Sequence, residues 1–443
     1  MTSAYMNVPL RRRAPDWPIP LTATQLDMWQ SELAQKAPSG RMCAAALRIT
    51  GPMNIDLLRT CLEELVRRHE SLRTRIAAVD GVPRQYVSAQ SICPLQICNL
   101  REREPAEGQR EAMRMVQDFI DAKIDVAVDP LFEGRLLQLP GTEHVLILML
   151  HHIIGDWLSC EILTRELWVL YGQAVRGLLL SLPELPIQFP DYAVWQQRTY
   201  ASWLADHGAY WRELLNDAPH LRLSREGRLR EVASPVGASR HFSLGEALSA
   251  RLRELARQER TLLPLLVLAI HVRVIAHWCD QSDLVVKFIS NGRSHRRELL
   301  DVVGFLACIL HLRIRSAREG DFLRLLSQVK ESFVAAHRHH DFGHVPFLVP
   351  ECVSDVYFNW MPAPRAQPHC GPGVADHGLE IRMLPVSVAQ PKKFIPFFYD
   401  CSTGIGVSVN YRPDIHSAGT IEQFGNTFLT FAQEMASLTL PAR

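Results

Sequence analysis

Two adjacent histidines follow a continuous apolar run in the first half of the chain. Residues 145–150 read VLILML, His151 and His152 come directly after them, and Asp156 lies four residues beyond His152. An imidazole with an ordinary pKa of about 6.5 can accept a proton from an attacking nucleophile at neutral pH. We expect the backbone N–H groups of residues 156–159, at the start of the next helix, to point toward developing negative charge. The pattern therefore favours acyl transfer.

Two other roles for these side chains stay open. A histidine at a helix start can be a buried structural residue, and an imidazole and a carboxylate four residues apart can bind a metal ion. No third ligand is evident near His152 and Asp156, so a metal is not expected. His337, His340 and His344 recur at helical spacing in HRHHDFGH, but a solvated helix face is the simpler interpretation of that segment.

Motifs for several other chemistries are missing from the sequence. It contains no G-x-x-x-x-G-K, no G-x-G-x-x-G and no G-x-S-x-G, so a nucleotide site or an α/β-hydrolase site is not favoured. No side chain is recognisable as a covalent nucleophile paired with a base. Direct transfer between two bound substrates is therefore favoured over an acyl-enzyme.

The elements that flank the histidines can also be predicted. VLILML does not alternate polar with apolar residues, which predicts a strand covered on both faces. Apolar residues then recur at helical spacing at Leu158, Ile162, Leu163, Leu167 and Leu170. HHIIGD is therefore predicted to be a strand-to-helix turn.

The rest of the chain mixes helices and strands. Helices are predicted at 23–33, 55–68, 108–122, from about 191, and at 245–257, 264–278, 321–337 and 420–437. Asn54 or Asp56 can cap the second of these helices. Strands are predicted in ALRI, RQYVSA, FEGRLLQL, DLVVKFIS, HLRIR, VYFNW and GIGVSVNY. This order indicates an α/β protein or an α+β sandwich.

Length and composition indicate a globular protein with two domains or two halves of one architecture. The chain has 443 residues, 47% of them hydrophobic and 21% charged, and a formal net charge of +1. We place the boundary near residue 184, in a proline-dense stretch, which gives domains 1–184 and 185–443. Residues 362–393 are expected to form a functional loop or a crossover between the halves.

Nucleic acid and membranes are not expected partners. The net charge gives no bulk attraction to a polyanion, and the longest apolar runs are shorter than the roughly 18–20 residues that span a bilayer. No apolar segment of a secretory signal follows the basic N-terminal residues. Ten cysteines without a recurring spacing are typical of reduced thiols, so a cytoplasmic location is expected.

An ordered set of motifs resembles the condensation domains of nonribosomal peptide synthetases, within the chloramphenicol-acetyltransferase-like superfamily. HHIIGDWLS at 151–159 resembles their active-site motif, His-His-x-x-x-Asp-Gly. The other resemblances are LTATQLDMWQ at 21–30 to the first motif, RRHESLRTRI at 67–76 to the second, FPDYAVWQ at 189–196 to the fourth, VVGFLACILHLRI at 302–314 to the fifth and HVPF at 344–347 to part of the sixth.

The resemblance implies a fold and a role for each site residue. Two similar subdomains are expected to form a V with a tunnel between them. His152 would orient or deprotonate the acceptor, while His151 and Asp156 would be structural, with Arg293 as the partner of Asp156. The residues expected to line the substrate tunnel are Trp157, Ser159, Gly304 and Cys308.

The implied activity is acyl transfer in natural-product biosynthesis, such as antibiotic formation. An acyl or peptidyl carrier protein would deliver a peptidyl or polyketide group on its phosphopantetheine thioester to the amine or hydroxyl of a small-molecule acceptor. No cofactor or metal is expected on this chain, which is expected to be a monomer, free-standing or excised from a synthetase. Two alternatives remain: an acyl-CoA-dependent O-acyltransferase of the same superfamily, and a non-catalytic condensation-like domain that recruits a partner.

Two departures from the family pattern bear on the substrate. Trp157 replaces the motif's glycine, and Leu158 replaces the usual tryptophan beside it. An indole fills the space that a glycine leaves open, so we expect Trp157 to narrow one tunnel branch and to favour a small free acceptor. Residues 306–309 read LACI in place of Phe-Val-Asn-Thr, which predicts an unusual substrate channel.

Overall fold

The computed structural model describes residues 8–15, 17–34, 42–91, 95–221, 237–294, 296–339, 356–361, 374, 377–384, 394–401 and 403–438. Over these residues the α-helices are α1 Ala23–Ala34, α2 Ile55–Arg68, α3 Pro105–Ile120, α4 Trp157–Ala174, α5 Phe189–Leu215, α6 Gly245–Gln258, α7 Leu263–Cys279, α8 Phe322–Arg338 and α9 Ala418–Ala436. The strands are β1 Ile19–Pro20, β2 Met42–Thr50, β3 Thr74–Val79, β4 Val82–Val87, β5 Leu95–Asn99, β6 Phe132–Gln138, β7 Glu143–His151, β8 Ala238–Ser243, β9 Asp283–Ser290, β10 Cys308–Arg315, β11 Tyr357–Met361, β12 Glu380–Met383, β13 Phe394–Cys401 and β14 Gly404–Tyr411. The predicted mixture of helices and strands is confirmed.

The chain divides into two compact units, each made of three stretches. The first unit comprises Met1–Trp203, Asn291–Ala307 and Arg365–Val388, and the second comprises Leu204–Ser290, Cys308–Pro364 and Ala389–Arg443. The division thus falls within α5, whereas the boundary predicted near residue 184 lies before this helix and inside the first unit. Within the predicted crossover, 362–393, the described strand β12 pairs with β2 of the first unit.

The strand before the histidines lies in the middle of the first unit's larger sheet. That sheet has the order β12-β2-β7-β6-β5, and β7 is antiparallel to both of its neighbours. Every residue of β7 except Glu143 is buried, which confirms a strand covered on both faces. His151 is the last residue of β7 and pairs with Met42. A short sheet, β1-β4-β3, completes the unit.

Helix α2 shows how the sequence sets a helix boundary in this unit. The side chain of Asn54 accepts hydrogen bonds from the backbone N–H groups of Asp56 and Leu57 at 3.0 and 3.1 Å, so Asn54 is the N-cap. The buried residues recur at helical spacing, namely Leu58, Cys61, Leu62, Leu65 and Val66. This apolar face packs against α4.

The second unit contains a sheet of order β10-β9-β11-β13-β14-β8. Phe288, Phe358 and Phe398 form a row across it, with ring centroids 5.5 and 4.7 Å apart. His271 of α7 packs against Phe358 and Phe398. Among the described residues, no single helix meets the length and composition required of a bilayer span; α6 and α7 meet them jointly, with a bend of 110°.

The central position of β7 leads to a stability prediction. Leu146 in β7 is 0% exposed, whereas Leu179 is 87% exposed. Leu146→Ala should lower the free energy of unfolding by about 2–5 kcal/mol because it leaves a cavity. The matched change Leu179→Ala should cost less than about 0.5 kcal/mol. Denaturant unfolding of both variants measures this difference, and equal losses would contradict the position assigned to β7.

Candidate active site

The turn between β7 and α4 is fixed at its first residues. The backbone N–H of His151 donates to the Leu131 carbonyl at 2.8 Å, and the N–H of Ile153 donates to His151 Nδ1 at 3.2 Å. The Ile153 carbonyl accepts from Nε2 of the fully buried Gln25 at 2.9 Å. The chain around His152 is therefore held from both sides.

His152 has a defined tautomer when it is neutral. Its Nδ1 lies 2.8 Å from the carbonyl oxygen of Gly155. A carbonyl only accepts hydrogen bonds, so Nδ1 must carry the proton and Nε2 holds the lone pair. The imidazole is half-buried, and the Phe305 ring lies 4.4 Å from it between centroids. An acceptor that reaches Nε2 would meet a base.

The Asp156 carboxylate accepts six hydrogen bonds. Its donors are the backbone N–H and hydroxyl of Ser159, both terminal nitrogens of Arg293, and the backbone N–H groups of Leu306 and Ala307, at 2.7 to 3.1 Å. Burial alone would raise the pKa of Asp156, but the Arg293 guanidinium and Ser159 hold it below its ordinary value. Because both oxygens are occupied, Asp156 is a structural anion and not a proton acceptor.

Arg293 is the partner that the resemblance implied for Asp156. It is 1% exposed and contacts the carboxylate with two nitrogens, at 2.7 and 3.0 Å. The guanidinium also donates to the carbonyls of Asn291, Val302 and Gly304 at 3.0 to 3.2 Å. One side chain thus ties Asn291–Ala307 to the turn after β7.

Ser159 and Gly304 belong to the same network. Ser159 is 0% exposed, and its hydroxyl oxygen accepts from the Gly304 N–H at 3.1 Å. A Cβ on Gly304 would lie 2.2 Å from the Phe189 ring, so this position needs a glycine. Both residues therefore have structural contacts, and their predicted place along a substrate tunnel stays a prediction.

The backbone N–H groups at the start of α4 are not all available for negative charge. The N–H of Asp156 donates to the Ser159 hydroxyl at 3.2 Å, and the N–H of Ser159 donates to Asp156 Oδ1 at 2.9 Å. This is a capping box, in which the two residues satisfy each other. The expectation that residues 156–159 offer their N–H groups to a substrate is thus wrong for residues 156 and 159.

Trp157 and Cys308 are each the first residue of a helix or a strand. Trp157 is the first residue of α4 and is partly exposed, although its Nε1 atom is shielded from solvent. Cys308 begins β10 in the second unit, is 5% exposed and pairs with Ser290. Their predicted roles in a substrate tunnel stay predictions.

Sequence reasoning missed three contributors. Gln25 and Phe305 lie inside the first and fifth motifs, but nothing in their spacing pointed to the turn. His69 lies in the second motif, where its Nε2 is 2.8 Å from Glu166, and Arg68 donates to the same carboxylate at 2.9 Å. This buried cluster anchors the end of α2 to α4, and His69 and Arg68 hold the pKa of Glu166 below its ordinary value despite burial.

Among the described residues, no three His, Cys, Asp or Glu side chains are grouped so that they could hold a metal ion. His337 lies on α8 and stacks on Phe333, with 5.5 Å between ring centroids. His340, His344 and the HVPF motif lie outside the described residues.

The burial of the Asp156–Arg293 pair predicts a large cost for removing its charge. Asp156→Asn leaves the guanidinium buried without its counter-ion, which should lower the free energy of unfolding by about 3–5 kcal/mol. Asp301 forms an exposed pair with Arg165 at 2.6 Å, with 54% and 44% of their side chains exposed. The matched change Asp301→Asn should cost about 0–1 kcal/mol. Similar losses in the two variants would refute a structural role for Asp156.

The same pair predicts a loss of stability in acid. The pKa of Asp156 is lower in the folded chain than in the unfolded chain, so the unfolded state binds the proton more tightly. The stabilisation is therefore fully present above the unfolded pKa of about 3.9 and is lost as the pH falls through the folded value. Unfolding measured from pH 6 downward should show a steeper loss for the wild type than for Asp156→Asn. Parallel curves of unfolding free energy against pH for the two proteins would contradict this prediction.

Comparison with known proteins identifies the family to which this chain belongs. The Condensation domain family matches residues 18–346. Phosphinothricin tripeptide synthetase PhsC of Streptomyces viridochromogenes is 32% identical over 333 residues, which are 75% of this chain and 31% of that protein. The chain therefore spans less than a third of this relative.

Two solved structures share the fold at low identity. The X-domain from teicoplanin biosynthesis superposes with a TM-score of 0.84 at 22% identity, over 97% of each chain. The first condensation domain of the CDA synthetase gives a TM-score of 0.78 at 20% identity, over 95% of this chain and 97% of that one. With the family match, these findings show that the chain belongs to the Condensation domain family and has its chloramphenicol-acetyltransferase-like fold.

Proposed function

We propose that this chain is a condensation-type acyltransferase. It moves a peptidyl or polyketide acyl group from the phosphopantetheine thioester of a carrier protein to an amine or hydroxyl. The observation that carries the proposal is the hydrogen bond from His152 Nδ1 to the Gly155 carbonyl, 2.8 Å long. In the neutral ring this bond puts the proton on Nδ1 and the lone pair on Nε2, and the turn that carries the ring is held in place by the Asp156 network.

His152 handles the proton in this reaction. The acceptor's N–H or O–H donates to Nε2 as its nitrogen or oxygen attacks the thioester carbonyl. The new C–N or C–O bond forms, the C–S bond breaks, and the proton passes from Nε2 to the leaving thiolate. While the ring is positively charged, the Gly155 carbonyl stabilises it through Nδ1–H. No covalent enzyme intermediate is required.

Two other functions in the family have their own support. A starter condensation domain of rhizomide synthetase has been solved in complex with C8-CoA, so acyl-CoA is an alternative donor. An X-domain from teicoplanin biosynthesis has been solved in complex with OxyB, so partner recruitment without catalysis is the second alternative.

One assay separates the three functions. A carrier protein is loaded with candidate acyl chains, amines or alcohols are added, and intact mass spectrometry follows loss of the acyl group from the carrier. Unloading that depends on His152 and on acceptor supports the proposal. Turnover with acyl-CoA alone supports the alternative donor. If the carrier keeps its acyl group and acyl-CoA stays unreacted with every acceptor, catalysis is refuted and recruitment of a partner remains as the function.

The proton role of His152 predicts different losses for esters and amides. A free amine with a pKa near 8 is already partly unprotonated, so it needs less help than a hydroxyl. His152→Ala should lower the rate of ester formation by roughly 10²–10⁴-fold and the rate of amide formation by less.

The matched control is His241→Ala, since His241 is exposed on β8 and its loss should leave both rates unchanged. Initial rates with paired alcohol and amine acceptors provide the comparison. Equal losses of ester and amide formation in His152→Ala would speak against a base and for orientation alone.

A further inference from the structure

The amide of Gln25 connects the first turn of α1 to the turn that carries His152. Gln25 is 0% exposed, and its Nε2 donates to the Ile153 carbonyl at 2.9 Å. Ile153 is the residue directly after His152. A buried amide is costly unless its hydrogen bonds are made, so the partners of Gln25 determine how this side chain holds the turn.

The oxygen of the same amide closes a capping box at the start of α1. Gln25 Oε1 accepts from the backbone N–H of Thr22 at 3.0 Å, and the backbone N–H of Gln25 donates to Thr22 Oγ1 at 3.2 Å. Thr22 directly precedes α1, and Thr-x-x-Gln is the pattern of a capping box. The oxygen is thus bound to the helix start, and the NH₂ group of the amide is left for the turn after β7.

Gln85 of β4 receives a second hydrogen bond from this NH₂ group. Its Oε1 accepts from Gln25 Nε2 at 3.2 Å, and its own Nε2 donates to the Pro20 carbonyl at 2.7 Å. The carbonyls of Pro20 and Ile153 only accept hydrogen bonds, so each amide has one possible orientation. A buried chain of hydrogen bonds therefore runs from β1 through Gln85 and Gln25 to the residue after His152.

We propose that Gln25 is a positioning residue for His152, whose amide ties the turn after β7 to the capping box of α1. Gln25 is fully buried and bonds to the backbone of that turn, so it acts through the imidazole and not on a reactant. Its loss should therefore lower kcat and leave KM unchanged. The inference rests on the proposed function, because it assigns a support to the base of that reaction.

Gln25→Met tests the role because it removes both N–H donors and keeps the length of the side chain. With a loaded carrier protein and an amine or alcohol, kcat should fall about 10–100-fold, the cost of a displaced catalytic group, while KM stays within about twofold. In nitrogen-15 NMR the Nδ1 signal of His152 should move toward the unprotonated position, since a ring less firmly held to the Gly155 carbonyl samples both tautomers. Wild-type kcat and a wild-type signal in the folded variant would overturn the proposal.

Gln196 supplies the matched control at the same helix start. It is 4% exposed, and its Oε1 accepts from the backbone N–H of Ala23, the first residue of α1, at 2.8 Å. Gln196→Met thus removes a buried amide bond to α1 but leaves the bond between Gln25 and Ile153. It should keep the wild-type kcat and His152 signal even if it unfolds more easily. Equal losses of kcat in the two variants would assign the effect to α1 as a whole and overturn the role of the Gln25 amide.

A second variant and the NMR signal keep the two proposals distinguishable. If Gln25→Met does not fold, judged by circular dichroism, Gln25→Glu replaces it. A glutamate keeps the capping box but offers at most one hydrogen to two acceptors, so kcat and the signal should change in the same direction. If no protein unloads the carrier but the Gln25 variant alone shifts the His152 signal, the proposed function fails and the positioning role stands. An active enzyme in which neither kcat nor the signal changes would overturn the positioning role alone.

Discussion

The buried ion pair of Asp156 and Arg293 is the interaction on which the rest of the site depends. A carboxylate that is 3% exposed is costly unless every lone pair is matched. Here the guanidinium, Ser159 and two backbone N–H groups supply six hydrogen bonds. The donors come from the start of α4 and from Asn291–Ala307, so one carboxylate joins stretches far apart in sequence. A turn fixed in this way holds its histidine in place.

Within this one motif, Asp156 has a structural role and His152 is the residue proposed to handle the proton. The hydrogen bonds of Asp156 all serve the fold, while Nδ1 of His152 donates to the Gly155 carbonyl. The hydrogen bond to the Gly155 carbonyl sets the tautomer and stabilises the ring when it is protonated. Loss of Asp156 would therefore damage the proposed activity through folding, whereas loss of His152 would remove the proposed proton acceptor from an intact fold.

Local signals in the sequence were sufficient for the elements around the site. The unbroken apolar run predicted β7, and helical periodicity predicted α2 and α4. The cap of α2 was predicted at Asn54 or Asp56, and the structure shows that it is Asn54. Arg293 could be predicted only from the resemblance to the family. It pairs with Asp156 across 137 residues of sequence, and a contact at that distance produces no periodic pattern in the sequence. The backbone N–H groups of residues 156 and 159 were expected to face a substrate. That expectation was wrong because Ser159, three residues after Asp156, completes a capping box that uses both groups. Strand β12 was missed because it lies in a segment rich in proline and glycine and is defined only by pairing with β2.

The central claim is that neutral His152 carries its proton on Nδ1 and its lone pair on Nε2. Nitrogen-15 NMR on protein labelled at histidine measures the protonation of each ring nitrogen, and the His152→Ala spectrum assigns the signals. Near neutral pH the account predicts a protonated Nδ1 and an unprotonated Nε2. A neutral ring with its proton on Nε2 would contradict the hydrogen bond to Gly155 and, with it, the base proposed for acyl transfer.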